Sequence, residues 1–304
     1  MPTFPVLGTR ASPLALAQAR SVARALEAAH GWAPDSVVIR AIRTSGDRIQ
    51  DRPLSEVGGK ALWTKELDLM LAAGETSLSV HSMKDVESER PDAFHLAAML
   101  PRADVRDRLI GAAAIADLRE GAVVGTSSPR RAAQLLSRRP DLRIAPIRGN
   151  VQTRLDKLER GEADATLLAA AGLERLGIVA GHAIAVGEML PAPGQAAIGI
   201  ECRTEDKATR ALLQAINHLP TCACVAAERA FTRRLGGTCH SPVAALAEVA
   251  GERLRLRAEL LGIDGRERIF EDRLVDGVED AVALAAEMLA AAPPAIRDAF
   301  DGAP

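Results

Sequence analysis

The sequence predicts an α/β protein in which one doubly wound unit occurs twice, followed by a smaller α+β segment. Three observations carry this reading. First, VLGTRASPLALAQ near the start and VGTSSPRRAAQL at 124–135 share one order: apolar strand, Gly-Thr turn, Ser-Pro opening a helix, then a glutamine at the same offset from the proline, Gln18 and Gln134. A second signature follows each, with Thr64-Lys65-Glu66-Leu67-Asp68 leading to Gly74-Glu75 and TSLSVHSM, and Thr153-Arg154-Leu155-Asp156 leading to Gly161-Glu162 and DATLLAAA. Two signatures recurring in one order mark a duplicated strand–loop–helix frame. Second, charge is uneven: residues 101–193 carry 14 basic and 11 acidic side chains, residues 219–304 carry 10 and 14. Third, the pattern changes after residue 219, where RLRLRAELL alternates with the period of a half-buried strand.

Taken in order, VLGTR reads as a strand and Ser12 as the N-cap of a helix whose first position is Pro13. RIQDRPLSEVGGKALWTKEL, between 48 and 67, is polar, with Pro53 and the pair Gly58-Gly59 ahead of a helix, which is the composition of a hinged lid. Lys60 would move with it. TSLSVHSM is a strand that ends at His81-Ser82-Met83-Lys84-Asp85 before the acidic loop VESERPDA. In the second copy, Ser128-Pro129 repeats the cap, RIAPI is a strand, Arg148-Gly149-Asn150 a glycine turn, and AAGLERLG a helix bearing Arg175. CVAAERAFTRRL is a helix stopped by Gly236-Gly237. Asp264-Gly265 between RLRLRAELL and RERIFEDRL is a hairpin signal, and VEDAVALAAEMLAAA closes the chain as a helix.

Composition excludes several classes. The 304 residues are 48% hydrophobic and 26% charged, ordinary for a globular chain, with a formal net charge of -2. Five Phe, two Trp and no Tyr leave almost nothing for stacking bases, so no nucleic-acid partner is expected. No apolar run is long enough to span a membrane, and the N-terminus has no signal-peptide pattern. Four cysteines, Cys202, Cys222, Cys224 and Cys239, are too few for a disulfide scaffold, which points to the cytoplasm. The cationic side chains are 33 arginines against five lysines.

Anion binding is the chemistry these motifs favour. A helix start presents unpaired N–H groups and partial positive charge. Arg10 stands beside the first Ser-Pro junction, and Thr126, Ser127, Arg130 and Arg131 beside the second, where guanidinium forks match carboxylates at two points. Arg148 and Arg154 flank a third glycine turn. Asp85, at the carboxyl end of a strand where open α/β sheets bind ligands, is suited to face a cation. Cys239, on the glycine turn LGGTCHSP, is placed for reaction. A zinc site from Cys222, Cys224, Cys239 and His240 is disfavoured by the one-residue spacing of the first pair, so no metal is expected.

VHSMKDV, GTSSPRR, IRGNVQTRL, LPAPGQAAIGIECR and LGGTCHSP, in that order, resemble the porphobilinogen deaminase (hydroxymethylbilane synthase) family. The resemblance implies two periplasmic-binding-protein-like doubly wound domains, 1–100 with 195–216 and 101–193, plus a small C-terminal α+β domain at 219–304. It implies a transferase of tetrapyrrole (porphyrin, heme) biosynthesis. Four porphobilinogen molecules are condensed head to tail with loss of ammonia onto a dipyrromethane cofactor, and hydroxymethylbilane is released by hydrolysis. By motif match the cofactor is attached through Cys239, and Asp85 is the catalytic carboxylate beneath the pyrrole nitrogens. Arg10, Ser12, Lys84, Asp85, Thr126, Ser127, Ser128, Arg130, Arg131 and Arg148 are implied to hold the cofactor. Arg10, Gln18, Lys60, Arg148, Arg154, Arg175 and Gln195 are implied to hold substrate, and the protein to be a cytoplasmic monomer. Trp63, Ala61, Ala196, Pro129 and Glu87 depart from the family's usual residues. The competing reading is a non-catalytic anion-binding protein of the same two-domain architecture, which would need neither Asp85 nor Cys239.

Overall fold

The computed structural model describes residues 4–44, 64–238 and 240–300. Lys60, Ala61, Trp63, Cys239 and the expected lid as far as residue 63 lie outside them. The chain divides into two compact units, Met1–Ala103 with Ala196–Cys222, and Asp104–Gln195 with Ala223–Pro304.

In the first unit, β1 (Val6–Arg10) lies parallel to β2 (Val38–Ile42) and β3 (Leu78–Ser82), while β10 (Ile198–Arg203) runs antiparallel between β3 and β4 (Phe94–Met99). The strand order is β2-β1-β3-β10-β4. Helix α1 (Pro13–His30) starts as the sequence predicts: Ser12 is extended and its hydroxyl accepts from the Ala15 N–H, with Pro13 at the first helical position. It ends at Gly31, whose φ of 65° is the left-handed conformation glycine adopts without steric cost. Ala19, Val22, Ala23 and Leu26 form its buried stripe against Leu7, Leu78, Val80, Ile198 and Ile200. Each such Leu, Ile or Val contributes about 1.5–3 kcal/mol by leaving water. Helices α2 (Lys65–Ala72) and, further along the chain, Lys207–Gln214 complete the unit.

The second unit repeats the frame. β6 (Val123–Gly125) is parallel to β7 (Arg143–Ala145) and β8 (Ala165–Ala169), and β5 (Asp107–Ile110) is antiparallel between β8 and β9 (His182–Ala183). The order is β7-β6-β8-β5-β9: the parallel triplet β7-β6-β8 repeats β2-β1-β3 and an antiparallel strand again sits beside its third member. That strand is the last of the first sheet and the first of the second in chain order, so the duplication covers the triplet that carries the Ser-Pro signature and not the whole chain order. Helices α3 (Pro129–Arg138), α4 (Val151–Glu159) and α5 (Ala170–Arg175) connect these strands. Pro129 fits without cost, because the first helical N–H has no intrahelical acceptor to lose.

The same unit carries a meander of β11 (Val243–Ala250), β12 (Arg253–Leu261) and β13 (Arg268–Val275). Leu254, Leu256, Ala258 and Leu260 alternate inward, as the period of two predicts, to meet Phe231 of the helix Leu219–Arg234, Leu235 just past its end, and Leu284 and Met288 of the helix Val278–Ala291. The former helix begins before the expected CVAAER run. At the hairpin turn Gly265 has φ of 74° and approaches α3 so closely that a Cβ would lie 2.4 Å from the Ala133 carbonyl oxygen. Glu259, buried on β12, accepts a 2.5 Å hydrogen bond from Gln134 and pairs with Arg268. Among the described residues, no helix is long and apolar enough to cross a membrane.

Candidate active site

In the strand order β2-β1-β3, the chain leaves β1 and β3 toward opposite sides, and such a switch point opens a crevice at the strands' carboxyl ends. A cleft open to solvent lies there. Arg10, from the end of β1, and Ser12 and Gln18, from the start of α1, line one side; Ser82 and Asp85, from the end of β3, line another, with Thr64 and His81 completing the polar wall. Gln18 is 3% exposed and, among the described residues, its Nε2 has no hydrogen-bond partner. A buried amide donor without an acceptor costs about 1–3 kcal/mol and marks a place where a ligand oxygen would be stabilised.

The Asp85 turn is held by its neighbours. Met83–Asp85 is a short 3-10 turn, and the Met83 N–H donates to the Ala197 carbonyl at 3.0 Å. Met83 is buried over Gly199 of β10, where a Cβ would come within 2.1 Å of its sulfur. Gly199 thus provides the space that lets the turn sit against the sheet. Lys84 and Asp85 emerge half-buried.

The corresponding loop of the second unit follows β6. Thr126 donates its N–H to Ala145, and its hydroxyl accepts from the Ser128 N–H at 3.2 Å. Ser127 is exposed, with its hydroxyl donating to the Ile147 carbonyl, and Ser128 caps α3 by accepting from the Arg131 N–H. Gly149, with φ of 113°, forms the turn expected at Arg148-Gly149-Asn150, and Asn150 caps α4 through the Thr153 N–H at 2.9 Å. Arg154 Nε donates to the Gly149 carbonyl at 3.0 Å, bracing that turn, while Arg148 is half-buried within it. Burial pushes the Arg175 guanidinium below its ordinary pKa, with Glu174 opposing.

Arg130 and Arg131, expected to hold the cofactor, and Gln195, expected to hold substrate, surround a buried carboxylate. Asp107, on β5, is 1% exposed, and Arg130 and Arg131 are 4% and 5% exposed around it. Arg131 reaches both carboxylate oxygens (Nη2 to Oδ1 2.7 Å, Nε to Oδ2 3.2 Å), Arg130 Nη2 reaches Oδ2 at 2.8 Å, and Gln195 Nε2 reaches Oδ1 at 2.9 Å. Burial pushes the Asp107 carboxyl up, but the two guanidinium charges and their hydrogen bonds outweigh it and hold it well below the carboxylate range. Arg130 also donates to Gln134 and the Leu190 carbonyl, and Arg131 to the Leu167 carbonyl. The physical reason is positional: the first turn of α3 lies over the amino end of β5, and two cations there require a buried anion. Each guanidinium has five N–H groups and spends three on these partners.

Asp107, Glu201 and Arg90, which organise these loops, were absent from the sequence-level candidates. A charged residue inside an apolar run, as in IGIEC, was the available signal. Cys222 donates to Asn217 Oδ1 at 2.8 Å, and Cys224 is buried in the core. Among the described residues no cluster of His, Cys, Asp or Glu could hold a metal ion.

Residues 6–211 match the family model described as porphobilinogen deaminase, dipyromethane cofactor binding domain, and residues 222–291 match the porphobilinogen deaminase C-terminal domain. The chain is 56% identical over 301 residues to the porphobilinogen deaminase of Sphingopyxis alaskensis, covering 97% of this chain and 96% of the relative. It is 51% identical over 302 residues to that of Paracoccus denitrificans, with the same coverage of each, and 49% identical over 285 residues to that of Nitrobacter hamburgensis, covering 92% and 90%.

Proposed function

The chain belongs to the porphobilinogen deaminase family, and from that premise we propose that it condenses four porphobilinogen molecules head to tail with loss of ammonia and releases linear hydroxymethylbilane. The observation that carries this reading is one cleft containing Asp85, the Arg10–Ser12 helix start and the orphaned Gln18 amide. A pure anion-binding site would gain nothing from a carboxylate beside its cationic donors.

The cleft suits a dipyrromethane, whose side-chain carboxylates match a guanidinium, a hydroxyl and an unpartnered amide donor. When bound, that group supplies the terminal pyrrole carbon to which the first substrate ring is joined. Arg10, Ser12 and Gln18 orient carboxylates in the first unit. Lys84 adds a compact positive charge beside Asp85. In the second unit Thr126, Ser127, Ser128, Arg148, Arg154 and Arg175 are proposed carboxylate holders. Arg130 and Arg131 contribute the N–H groups left beyond Asp107, while Gln195, whose two amide hydrogens go to the Val105 carbonyl and Asp107, acts by holding that carboxylate. Cys239 is the proposed attachment point, through a thioether, and Lys60 a further substrate contact.

Asp85 performs the chemistry. Loss of ammonia leaves positive charge on the substrate pyrrole, and a carboxylate fixed at the turn after β3 stabilises that charge. The same oxygen can take the proton released when the new carbon–carbon bond restores the aromatic ring, a contribution of about 10²–10⁴-fold in rate. The division into 1–100 with 195–216, 101–193 and 219–304, action as a monomer and a cytoplasmic location belong to the same proposal.

Incubating the purified chain with porphobilinogen tests it. Ammonia release together with an intact mass two pyrrole units above the sequence, absent in Cys239→Ser, is the expected result. An unmodified mass with no ammonia overturns the reading.

A further inference from the structure

A buried charge cluster lies behind the Asp85 turn. Glu201 of β10 is 1% exposed, within an otherwise apolar stretch of strand. Arg90 grips it at two points, Nε to Oε1 and Nη2 to Oε2, both 2.9 Å. The same guanidinium reaches Asp68 Oδ1 on α2 at 2.6 Å, Glu87 Oε2 at 3.3 Å and Thr64 Oγ1 at 3.2 Å. Thr64 donates in turn to Glu87, and His81 Nε2 stands 3.2 Å from Glu201 Oε2. All five guanidinium N–H groups are thereby engaged.

The placement of this cluster is more informative than its energy. Burying one guanidinium among three carboxylates carries desolvation costs that an apolar cluster of equal volume would avoid, so stability alone does not account for it. Only four residues separate Arg90 from Asp85. The turn's upstream end is fixed to Ala197 through the Met83 N–H, and its downstream loop is fixed to Glu201 through Arg90, so both anchors lie on one stretch of chain at β10. Thr64, held by the same guanidinium, is itself a wall of the cleft. Glu87, one of the departures from the family's usual residues, is one of its partners.

We propose that Arg90 is a positioning residue for the condensation: by tying the loop after Asp85 to Glu201, Asp68 and Thr64, it fixes the carboxylate's place in the cleft. The proposal rests on the deaminase reading above. Arg90 touches no substrate; it acts through the turn.

The test uses the full chain with its covalent adduct, comparing wild type, Arg90→Met and Arg90→Lys. Porphobilinogen turnover is measured per adduct-bearing molecule, counted by intact mass. Arg90→Met should lower kcat about 10–100-fold while KM stays within about threefold, because misplacing a reacting group by about 1 Å is costly even when binding survives. Lysine keeps the charge but not the two-point grip, so Arg90→Lys should lose about fivefold. A merely structural role would reduce the number of adduct-bearing molecules and leave kcat per molecule unchanged. Turnover within about twofold of wild type in Arg90→Met overturns the proposal; if that variant does not accumulate, the same result in Arg90→Lys overturns it. A wild type that releases no ammonia overturns the deaminase reading and this proposal with it, whereas an active wild type matched by Arg90→Met overturns this proposal alone.

Discussion

Replacing Asp107 by asparagine isolates the most concentrated electrostatic feature of the second unit. The substitution keeps the shape and one acceptor oxygen. It turns the other oxygen, which accepts from Arg130 Nη2 and Arg131 Nε, into an amide donor facing donors. At about 4 Å between charge centres and an effective dielectric of about 20, each guanidinium loses about 4 kcal/mol of attraction. Against this stands the desolvation cost the carboxylate no longer incurs, several kcal/mol. The net is about 3–5 kcal/mol of destabilisation, the range found when one member of a buried ion pair is removed. That is a third or more of a typical domain's stability of about 5–15 kcal/mol. Urea unfolding at neutral pH, with Asp107→Asn, Arg131→Met and the double variant, measures it. A coupling energy above about 2 kcal/mol is expected, because Asp107→Asn alone strands two cations and the double variant strands only Arg130. A loss below about 1 kcal/mol for Asp107→Asn would refute the reasoning, since the three buried charges would then not depend on one another.

Two further outcomes follow from the fold. Ala196 adopts φ of 70°, and left-handed backbone costs a Cβ-bearing residue about 1–2 kcal/mol. Ala196→Gly should therefore raise stability by about 0.5–1 kcal/mol after the extra unfolded-state freedom of glycine is offset, and an unchanged or lower thermal midpoint would show that the strain is absent. Acid should act on the first unit through Glu201. Burial pushes that carboxyl up, but His81 and Arg90 outweigh it and bring it to about 2. A depressed folded pKa gives stability that is fully present above the unfolded value of about 4.3 and is lost as pH falls from there toward 2. Urea midpoints measured between pH 7 and pH 2 should fall through that window in wild type and less steeply in Glu201→Gln; parallel curves would count against it.

Much of the frame was legible because local rules fix it. Ser12-Pro13 and Ser128-Pro129 cap helices as their residue types require, Gly149 and Gly265 take the positive φ their turns need, and β12 alternates inward and outward. Asp85 was legible as the end of a strand. What escaped were pairings between distant positions. Arg90 and Glu201 are 111 residues apart, and Gln134 and Glu259 are 125 apart; no spacing rule links them. The adjacent pair Arg130-Arg131 looked like an anion fork for the same reason, because its counter-ion Asp107 lies on another strand. The repeat was informative and incomplete at once: Gln18 and Gln134 share an offset from proline, yet Gln134 is satisfied by Leu190 and Glu259 while the Gln18 amide is left facing the cleft.

The central claim is that the Asp85 carboxylate carries the chemistry of a site that other residues build. Intact mass and ammonia release, read on one preparation of Asp85→Asn beside wild type, test it most directly. The account predicts an adduct mass equal to that of wild type and turnover lower by at least about 10²-fold. Turnover near the wild-type rate from Asp85→Asn carrying the full adduct would contradict it.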